Sequence, residues 1–137
     1  MPQLTGIVET SLYVADPEIS ARFYEDLLGF RRLATDYRLC ALAVAPGQVL
    51  LLFRRGASRH LENRDGRVIP GHDGSGEAHL AFSITVSDLQ AWEKKLAERN
   101  IPIESRVQWE LGGTSLYFRD PDGHSVELAT PGVWANY

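Results

Sequence analysis

The hydrophobic pattern near the N-terminus predicts a strand followed by a helix. Side chains of residues 7–14 alternate between two faces, which is the period of a half-buried strand. One face carries the mixed set Ile7, Glu9, Ser11 and Tyr13, and the other carries Val8, Thr10, Leu12 and Val14. Apolar residues then recur at helical spacing, at Ile19, Phe23, Tyr24, Leu27 and Leu28. Asp16 is suited to cap this helix, Pro17 to begin it and Gly29 to end it.

Three further strands are predicted before the pattern breaks. They cover residues 30–33, 38–44 and 49–53, with a turn at 45–48 between the last two. From residue 55 to 76 the hydrophobic period disappears, and glycine and charged residues become frequent. The first half is therefore predicted as strand, helix and three strands, followed by a long connection.

The second half repeats this order of elements. A strand at 79–86 precedes a helix to about residue 99, and Ser87 with Gln90 matches a capping box at its start. Strands follow at 101–109, 114–119 and 124–129, and the tripeptide Val14-Ala15-Asp16 recurs as Val86-Ser87-Asp88. We therefore predict an α+β fold of two βαβββ units, residues 6–54 and 77–130, joined by loop 55–76.

Composition excludes several classes of partner. The chain has 137 residues, 44% hydrophobic and 23% charged, which is typical of one globular domain. A net charge of −4 gives no basic surface for nucleic acid, and no apolar stretch reaches membrane-spanning length. The single cysteine, Cys40, lies in an apolar run and is predicted to be a buried core residue. Without a recognisable secretion signal, the predicted location is the cytoplasm.

Two segments resemble the vicinal oxygen chelate superfamily. They are LYVADPEISARFYEDLLGF in the first unit and SLYFRDPDGHSVEL in the second. The superfamily contains glyoxalase I, fosfomycin-resistance thiol transferases, extradiol dioxygenases, epimerases and bleomycin-binding proteins. The resemblance implies a single glyoxalase-like domain with a cupped, eight-stranded mixed sheet around a divalent metal ion. It also implies a homodimer with paired or swapped units.

The resemblance implies three metal ligands, Glu9, His79 and Glu127. Strand alternation supports them, because each lies on the polar face of its predicted strand. A carboxylate such as Glu9 inside a strand needs water, a proton or a cation. Two carboxylates and an imidazole suit Mn²⁺, Fe²⁺, Ni²⁺, Co²⁺ or Zn²⁺ and leave coordination positions open for substrate oxygens. The remaining histidines, His60, His72 and His124, are predicted to lie at the surface.

The predicted function is that of a metal-dependent enzyme acting on a small oxygen-rich substrate, as an isomerase, a lyase or a catalyst of thiol addition. Glu9, Glu127 and Tyr117 are the candidate catalytic residues. Ser11, Ser115 and Arg119 are the candidate substrate contacts.

Departures from the family patterns make some of the superfamily's reactions less favoured for this chain. Leu51 stands where glyoxalase I carries a fourth ligand, which disfavours a glyoxalase of the usual type. Tyr117 matches the fosfomycin-resistance enzymes, but Val107 and Asn136 replace two basic residues that neutralise the phosphonate. Glu9 replaces the usual first histidine of the dioxygenases. Two alternatives stay open: an extradiol-type dioxygenase, and a non-catalytic drug-binding protein of the bleomycin-resistance kind.

Overall fold

The chain folds into two compact units. A computed structural model describes residues 1–137, and the units are Met1–Gly76 and Glu77–Tyr137. The first unit contains β1 (Glu9–Val14), α1 (Pro17–Leu28), β2 (Arg31–Thr35), β3 (Leu39–Ala45) and β4 (Gln48–Arg54). Its sheet has the order β1-β4-β3-β2, in which β1 is parallel to β4 and the other pairs are antiparallel.

The first sheet buries the second half of the face that alternation predicted to be apolar, while Val8 and Thr10 on the same face are exposed. Leu12 and Val14 of β1 are fully buried, whereas Glu9 and Ser11 are exposed. The helix α1 packs against β3 and β4, and burial of each leucine there stabilises the fold by about 1.5–3 kcal/mol. Cys40 is 1% exposed on β3, so its prediction as a core residue is confirmed.

The ends of α1 follow the predicted residues, but its buried face is rotated. Asp16 Oδ1 accepts a hydrogen bond from the Glu18 amide at 2.9 Å, and Gly29 adopts the left-handed φ of 73° at the C-terminus. The buried positions are Pro17, Ser20, Ala21, Tyr24 and Leu27. Ile19 is 59% exposed, so its predicted place in the buried face is wrong. The small side chains at the contact allow a closer approach of helix and sheet than bulky aliphatic residues would.

The last part of the first unit, which the sequence predicts to be a connecting loop, contains a hairpin that the hydrophobic pattern does not predict. Strands β5 (Glu62–Arg64) and β6 (Arg67–Ile69) pair antiparallel around Asp65 and Gly66, which both have positive φ, at 52° and 81°. Consecutive positive φ values are typical of a tight two-residue hairpin turn. Three-residue strands are too short to produce a recognisable period.

The second unit repeats the topology of the first. It contains β7 (His79–Ser83), a 3₁₀ turn (Val86–Asp88), α2 (Leu89–Glu98), β8 (Ser105–Gln108), β9 (Thr114–Arg119) and β10 (Ser125–Ala129). Its sheet order, β7-β10-β9-β8, again pairs the first and last strands in parallel. The predicted α+β class is confirmed, with eight of the ten strands forming two mixed sheets of four. No helix is long and apolar enough to span a membrane.

The start of α2 differs from the predicted capping box. Thr85 Oγ1 accepts a hydrogen bond from the Asp88 amide at 3.2 Å and caps the 3₁₀ turn, while Asp88 makes no side-chain cap to α2. Ser87 bonds the Thr85 hydroxyl instead, so the predicted capping box is wrong. The inserted 3₁₀ turn changes which backbone amides at the start of α2 have no hydrogen-bond partner within the helix.

Candidate functional site

A polar face on the second sheet gathers several of the predicted site residues. Glu127 on β10 pairs with Tyr117 on β9, and Ala129 pairs with Ser115. Ser125 pairs with Arg119 on one side and with His79 of β7 on the other. Paired positions on adjacent strands point to the same face. The strand register therefore collects these side chains on one surface of the second unit.

The carboxylate of Glu127 is buried beside the imidazole of His79. Glu127 is 5% exposed, and its Oε1 lies 3.2 Å from His79 Nε2. The other imidazole nitrogen, Nδ1, lies 3.0 Å from the Ser125 carbonyl oxygen. A carbonyl oxygen only accepts hydrogen bonds, so Nδ1 of His79 carries the proton. In the neutral imidazole, Nε2 then directs a lone pair at Glu127.

This arrangement requires a positive charge or a proton. A lone pair and a carboxylate oxygen repel each other at this distance, and protonation of the imidazole or a bound cation removes the repulsion. Histidines that bind metals typically donate their second ring N–H to a carbonyl or carboxylate, as His79 does to Ser125. The donor set of His79 Nε2 and Glu127 therefore fits a divalent ion.

The second oxygen of Glu127 is fixed by neighbouring hydroxyl and indole groups. Ser115, which is fully buried, donates to Glu127 Oε2 at 2.5 Å. Ser115 in turn accepts a hydrogen bond from the indole N–H of Trp109 at 2.8 Å. Ser115 was predicted to contact substrate, and that role remains a prediction. In the structure, Ser115 anchors the Glu127 carboxylate through this hydrogen bond.

Tyr117 completes the surroundings of the His79–Glu127 pair. Its ring stacks on the His79 imidazole with the centroids 6.1 Å apart. Burial raises the pKa of the Tyr117 phenol, and the charge of Glu127 with its hydrogen bond raises that pKa further. The phenol therefore stays protonated at neutral pH and is available as a hydrogen-bond donor.

The third predicted ligand, Glu9, lies in the first unit. It is exposed on β1, on the strand face that also carries Ser11 and Tyr13. Nowhere does the structure gather three or more histidine, cysteine or acidic side chains into a ligand cluster. The structure thus brings together two of the three predicted ligands, and the roles of Glu9 and Ser11 remain predictions.

Arg119 lies at the margin of the polar face and is held by acidic neighbours. Its Nε and a terminal nitrogen donate to the two oxygens of Glu104 at 2.7 and 3.1 Å. A further bond reaches the Gly123 carbonyl at 3.0 Å, and Glu77 lies 3.4 Å away. Its predicted substrate contact is untested, and any anionic substrate would compete with Glu104.

Two histidines are not the surface residues that the sequence predicts. His124 is 1% exposed, and its Nδ1 accepts a hydrogen bond from the Ala78 amide at 2.8 Å. His72 is half-buried, and its Nδ1 lies 2.6 Å from the Tyr13 hydroxyl. Both corrections have one cause: a turn or loop residue becomes buried when another segment packs over it, and local sequence does not report that packing.

Trp109 is the site residue that sequence reasoning missed. Strand alternation offers a signal, because Val107 on β8 pairs with Ser115, and Trp109 lies two residues further along the same face. Such diagonal neighbours lie within reach of an aromatic side chain.

The chain is similar to proteins of one superfamily. Residues 6–128 match the model of the Glyoxalase/Bleomycin resistance protein/Dioxygenase superfamily. A metallothiol transferase FosB of Bacillus licheniformis is 31% identical over 96% of this chain and 79% of its own length. A FosB of Staphylococcus epidermidis is 27% identical over 93% of this chain and 83% of its own length.

A solved structure shows the same fold over nearly the whole chain. The lactoylglutathione lyase from Agrobacterium tumefaciens superposes with a TM-score of 0.87 at 29% identity, covering 98% of this chain and 99% of that one. Together with the repeated βαβββ topology and the His79–Glu127 pair, these similarities lead to one conclusion. The chain belongs to the glyoxalase, bleomycin resistance protein and dioxygenase superfamily.

Proposed function

We propose that this protein is a divalent-metal-dependent enzyme that catalyses the addition of a thiol to a small oxygen-rich electrophile. The observation that carries the proposal is the buried Glu127 carboxylate, whose Oε1 lies 3.2 Å from Nε2 of His79. Similarity to metallothiol transferases over almost the entire chain supports thiol addition as the reaction type. His79, Glu127 and Glu9 are the proposed metal ligands.

Each neighbouring side chain has a proposed task. A divalent ion bound here would polarise an oxygen of the electrophile and stabilise the alkoxide formed by its opening. The protonated Tyr117 phenol would donate a hydrogen bond to a substrate oxygen, since its pKa is raised. Glu9, exposed on its strand, is also the proposed base for the incoming thiol, a role that requires its carboxylate to leave the metal ion. Ser11, Ser115 and Arg119 are kept as proposed contacts in the surroundings of the substrate.

The charge of the polar face limits the proposed substrate. Val107 pairs with Ser115 on this face and supplies no cation, and Asn136 near the C-terminus is exposed and neutral. Arg119, the cation of this sheet face, is engaged by Glu104. A phosphonate dianion would therefore be poorly neutralised. We propose an epoxide or activated carbonyl compound of lower charge.

A second candidate is the isomerisation of a hemithioacetal. The TM-score of 0.87 to a lactoylglutathione lyase favours it. Leu51 argues against it. This β4 residue, which pairs with Ser11 of β1, is apolar where the glyoxalases that this chain resembles carry a ligand. The two candidates share the metal and differ in whether free thiol is consumed.

The test is a set of assays on protein loaded separately with Mn²⁺, Fe²⁺, Ni²⁺, Co²⁺ and Zn²⁺. Loss of free thiol is followed with glutathione or cysteine and a panel of small epoxides, and conversion of a glutathione hemithioacetal is followed in parallel. We expect thiol consumption that depends on the metal and falls at least about 100-fold in Glu127→Gln. The control His60→Ala alters an exposed histidine and should retain parent activity.

Other outcomes would assign other functions. Hemithioacetal conversion without net thiol loss would replace the proposal with an isomerase. Oxygen uptake with catechols under Fe²⁺ would support a dioxygenase. Tight binding of bleomycin without any metal-dependent turnover would indicate the non-catalytic binder.

A further inference from the structure

Trp109 is linked to the candidate metal ligand Glu127 by two consecutive hydrogen bonds. Its indole Nε1 lies 2.8 Å from Ser115 Oγ, and Ser115 Oγ lies 2.5 Å from Glu127 Oε2. The backbone around Trp109 is itself fixed, because its amide donates to the Gly113 carbonyl at 2.8 Å and its carbonyl accepts from Gly112 at 3.0 Å.

The chemistry of the indole, the hydroxyl and the carboxylate sets the direction of the two hydrogen bonds. An indole N–H only donates, and a carboxylate only accepts. Ser115 must therefore accept from Trp109 and direct its single proton at Glu127. If the indole donor is removed, the Ser115 hydroxyl loses the partner that fixes its lone pair, and its orientation towards the carboxylate is less constrained.

We infer that Trp109 is a positioning residue that acts through Ser115 to hold the Glu127 carboxylate with Oε1 facing His79. The inference deepens the proposed function and rests on it in one respect, namely that Glu127 binds a metal ion. Trp109 is 37% exposed and makes no direct contact with Glu127 in this chain of bonds. Its effect on metal affinity should therefore disappear once Ser115 has lost its hydroxyl.

The first measurement concerns the metal-free protein. The three indole N–H signals of Trp92, Trp109 and Trp134 are recorded by ¹H–¹⁵N correlation spectroscopy and assigned by single Trp→Phe substitution. We expect Ser115→Ala and Glu127→Gln to shift the Trp109 signal and speed its exchange with water. The signal of Trp134, which lies in the exposed C-terminal segment, should not move. An unchanged Trp109 signal in Glu127→Gln would overturn the inference, whether or not the protein binds ions.

The second measurement is a double-substitution cycle on Mn²⁺ and Zn²⁺ affinity by calorimetry. Loss of an outer partner of a metal ligand typically weakens affinity 10–100-fold. We expect about a 10-fold loss for Trp109→Phe, which keeps an aromatic ring and removes the donor, and a similar or larger loss for Ser115→Ala. The double variant should bind no more weakly than Ser115→Ala alone, and Trp134→Phe should bind as the parent does.

The outcomes separate the inference from the proposed function. The positioning role would be overturned if the two losses of metal affinity multiplied in the double variant. It would also be overturned if Trp109→Phe bound the ions as tightly as the parent does. Either result would leave the metal site intact. If neither ion binds the parent, the proposed function fails. The indole signals then decide alone whether Trp109 fixes Glu127. Circular dichroism of each variant identifies any loss of affinity that comes from unfolding.

Discussion

At the scale of single residues, the direction of hydrogen bonds gives the histidines of the second unit different roles. His79 donates from Nδ1 to a carbonyl and turns Nε2 towards the Glu127 carboxylate, whereas His124 accepts at Nδ1 from the Ala78 amide. The first arrangement suits a ligand and the second a structural residue. The family resemblance selects His79 as a candidate ligand, whereas local sequence places His124 at the surface because burial of a turn depends on distant packing.

The buried His124 should contribute strongly to stability. His124→Ala leaves the Ala78 amide without its partner and opens a cavity, so we expect a loss of about 2–4 kcal/mol in the free energy of unfolding. Urea denaturation followed by circular dichroism measures this change. His60→Ala, at an exposed position, is the control and should lie within about 0.5 kcal/mol of the parent. Equal effects of the two substitutions would contradict the structural role of His124.

The Tyr117 phenol should lose its proton at a higher pH than an ordinary tyrosine does, because its pKa is raised. Burial first, and then the charge of Glu127 and its hydrogen bond, raise the pKa of its phenol. Because the folded-state pKa exceeds the unfolded value, the stabilisation is present below about pH 10 and is lost as pH rises through the folded pKa. Tyrosinate absorbance should show a late phase that becomes smaller in Tyr117→Phe, and the remainder belongs to Tyr13, whose pKa is also raised by burial and by the charge of Asp73.

The variant Glu127→Gln tests the cause of that shift. It removes the charge and keeps the burial, so the late tyrosinate phase should move partly back towards pH 10. A late phase that does not respond to Glu127→Gln would mean that burial alone raises the pKa of Tyr117.

At the scale of elements, alternation and capping residues predict the core strands and α1 because their signals are local. β9 occurs at residues 114–119 as predicted, and α1 ends at its Asp16 and Gly29 signals. The hairpin of β5 and β6 is stabilised partly by ion pairs to the first unit's β2–β3 region, Arg64 with Asp36 and Arg38 with Glu62. Pairs of this kind leave no periodic trace in the sequence, so this hairpin could not be predicted.

The two helices offer a matched test of capping. Asp16 accepts a hydrogen bond from the Glu18 amide, whereas Asp88 makes no side-chain bond at the start of α2. We expect Asp16→Ala to lower the free energy of unfolding by about 1 kcal/mol, and Asp88→Ala to change it by less than about 0.5 kcal/mol. Thermal and urea unfolding of both variants measure the difference. A larger loss in Asp88→Ala than in Asp16→Ala would contradict this assignment of the caps.

At the scale of the whole molecule, two units of one topology have diverged in their chemistry. Glu127 of β10 and Leu51 of β4 occupy corresponding strands, so the second sheet carries a paired carboxylate where the first carries an aliphatic side chain. The internal repeat made this topology predictable from sequence. The pairing of His79 with Glu127 was predictable from strand parity, but the hydroxyl and indole that orient Glu127 depend on the register between strands.

Self-association is the remaining prediction at this scale. Strand β1 is an edge of its sheet, and Ile7 and Val8 beside it are 77% and 64% exposed. Exposed apolar residues at a sheet edge favour pairing with another chain. We expect a homodimer by sedimentation equilibrium, and we expect Ile7→Asp to shift it towards monomer. A parent protein that stays monomeric at every concentration would contradict this prediction.

The most direct test of the central claim is equilibrium dialysis of the purified protein against each of the five divalent ions. The account predicts about one bound ion per chain in the parent, with the affinity reduced at least about 10-fold in His79→Asn, Glu127→Gln and Glu9→Gln. A parent protein that binds none of the ions above the buffer blank, or a Glu127→Gln variant that binds as tightly as the parent, would contradict it.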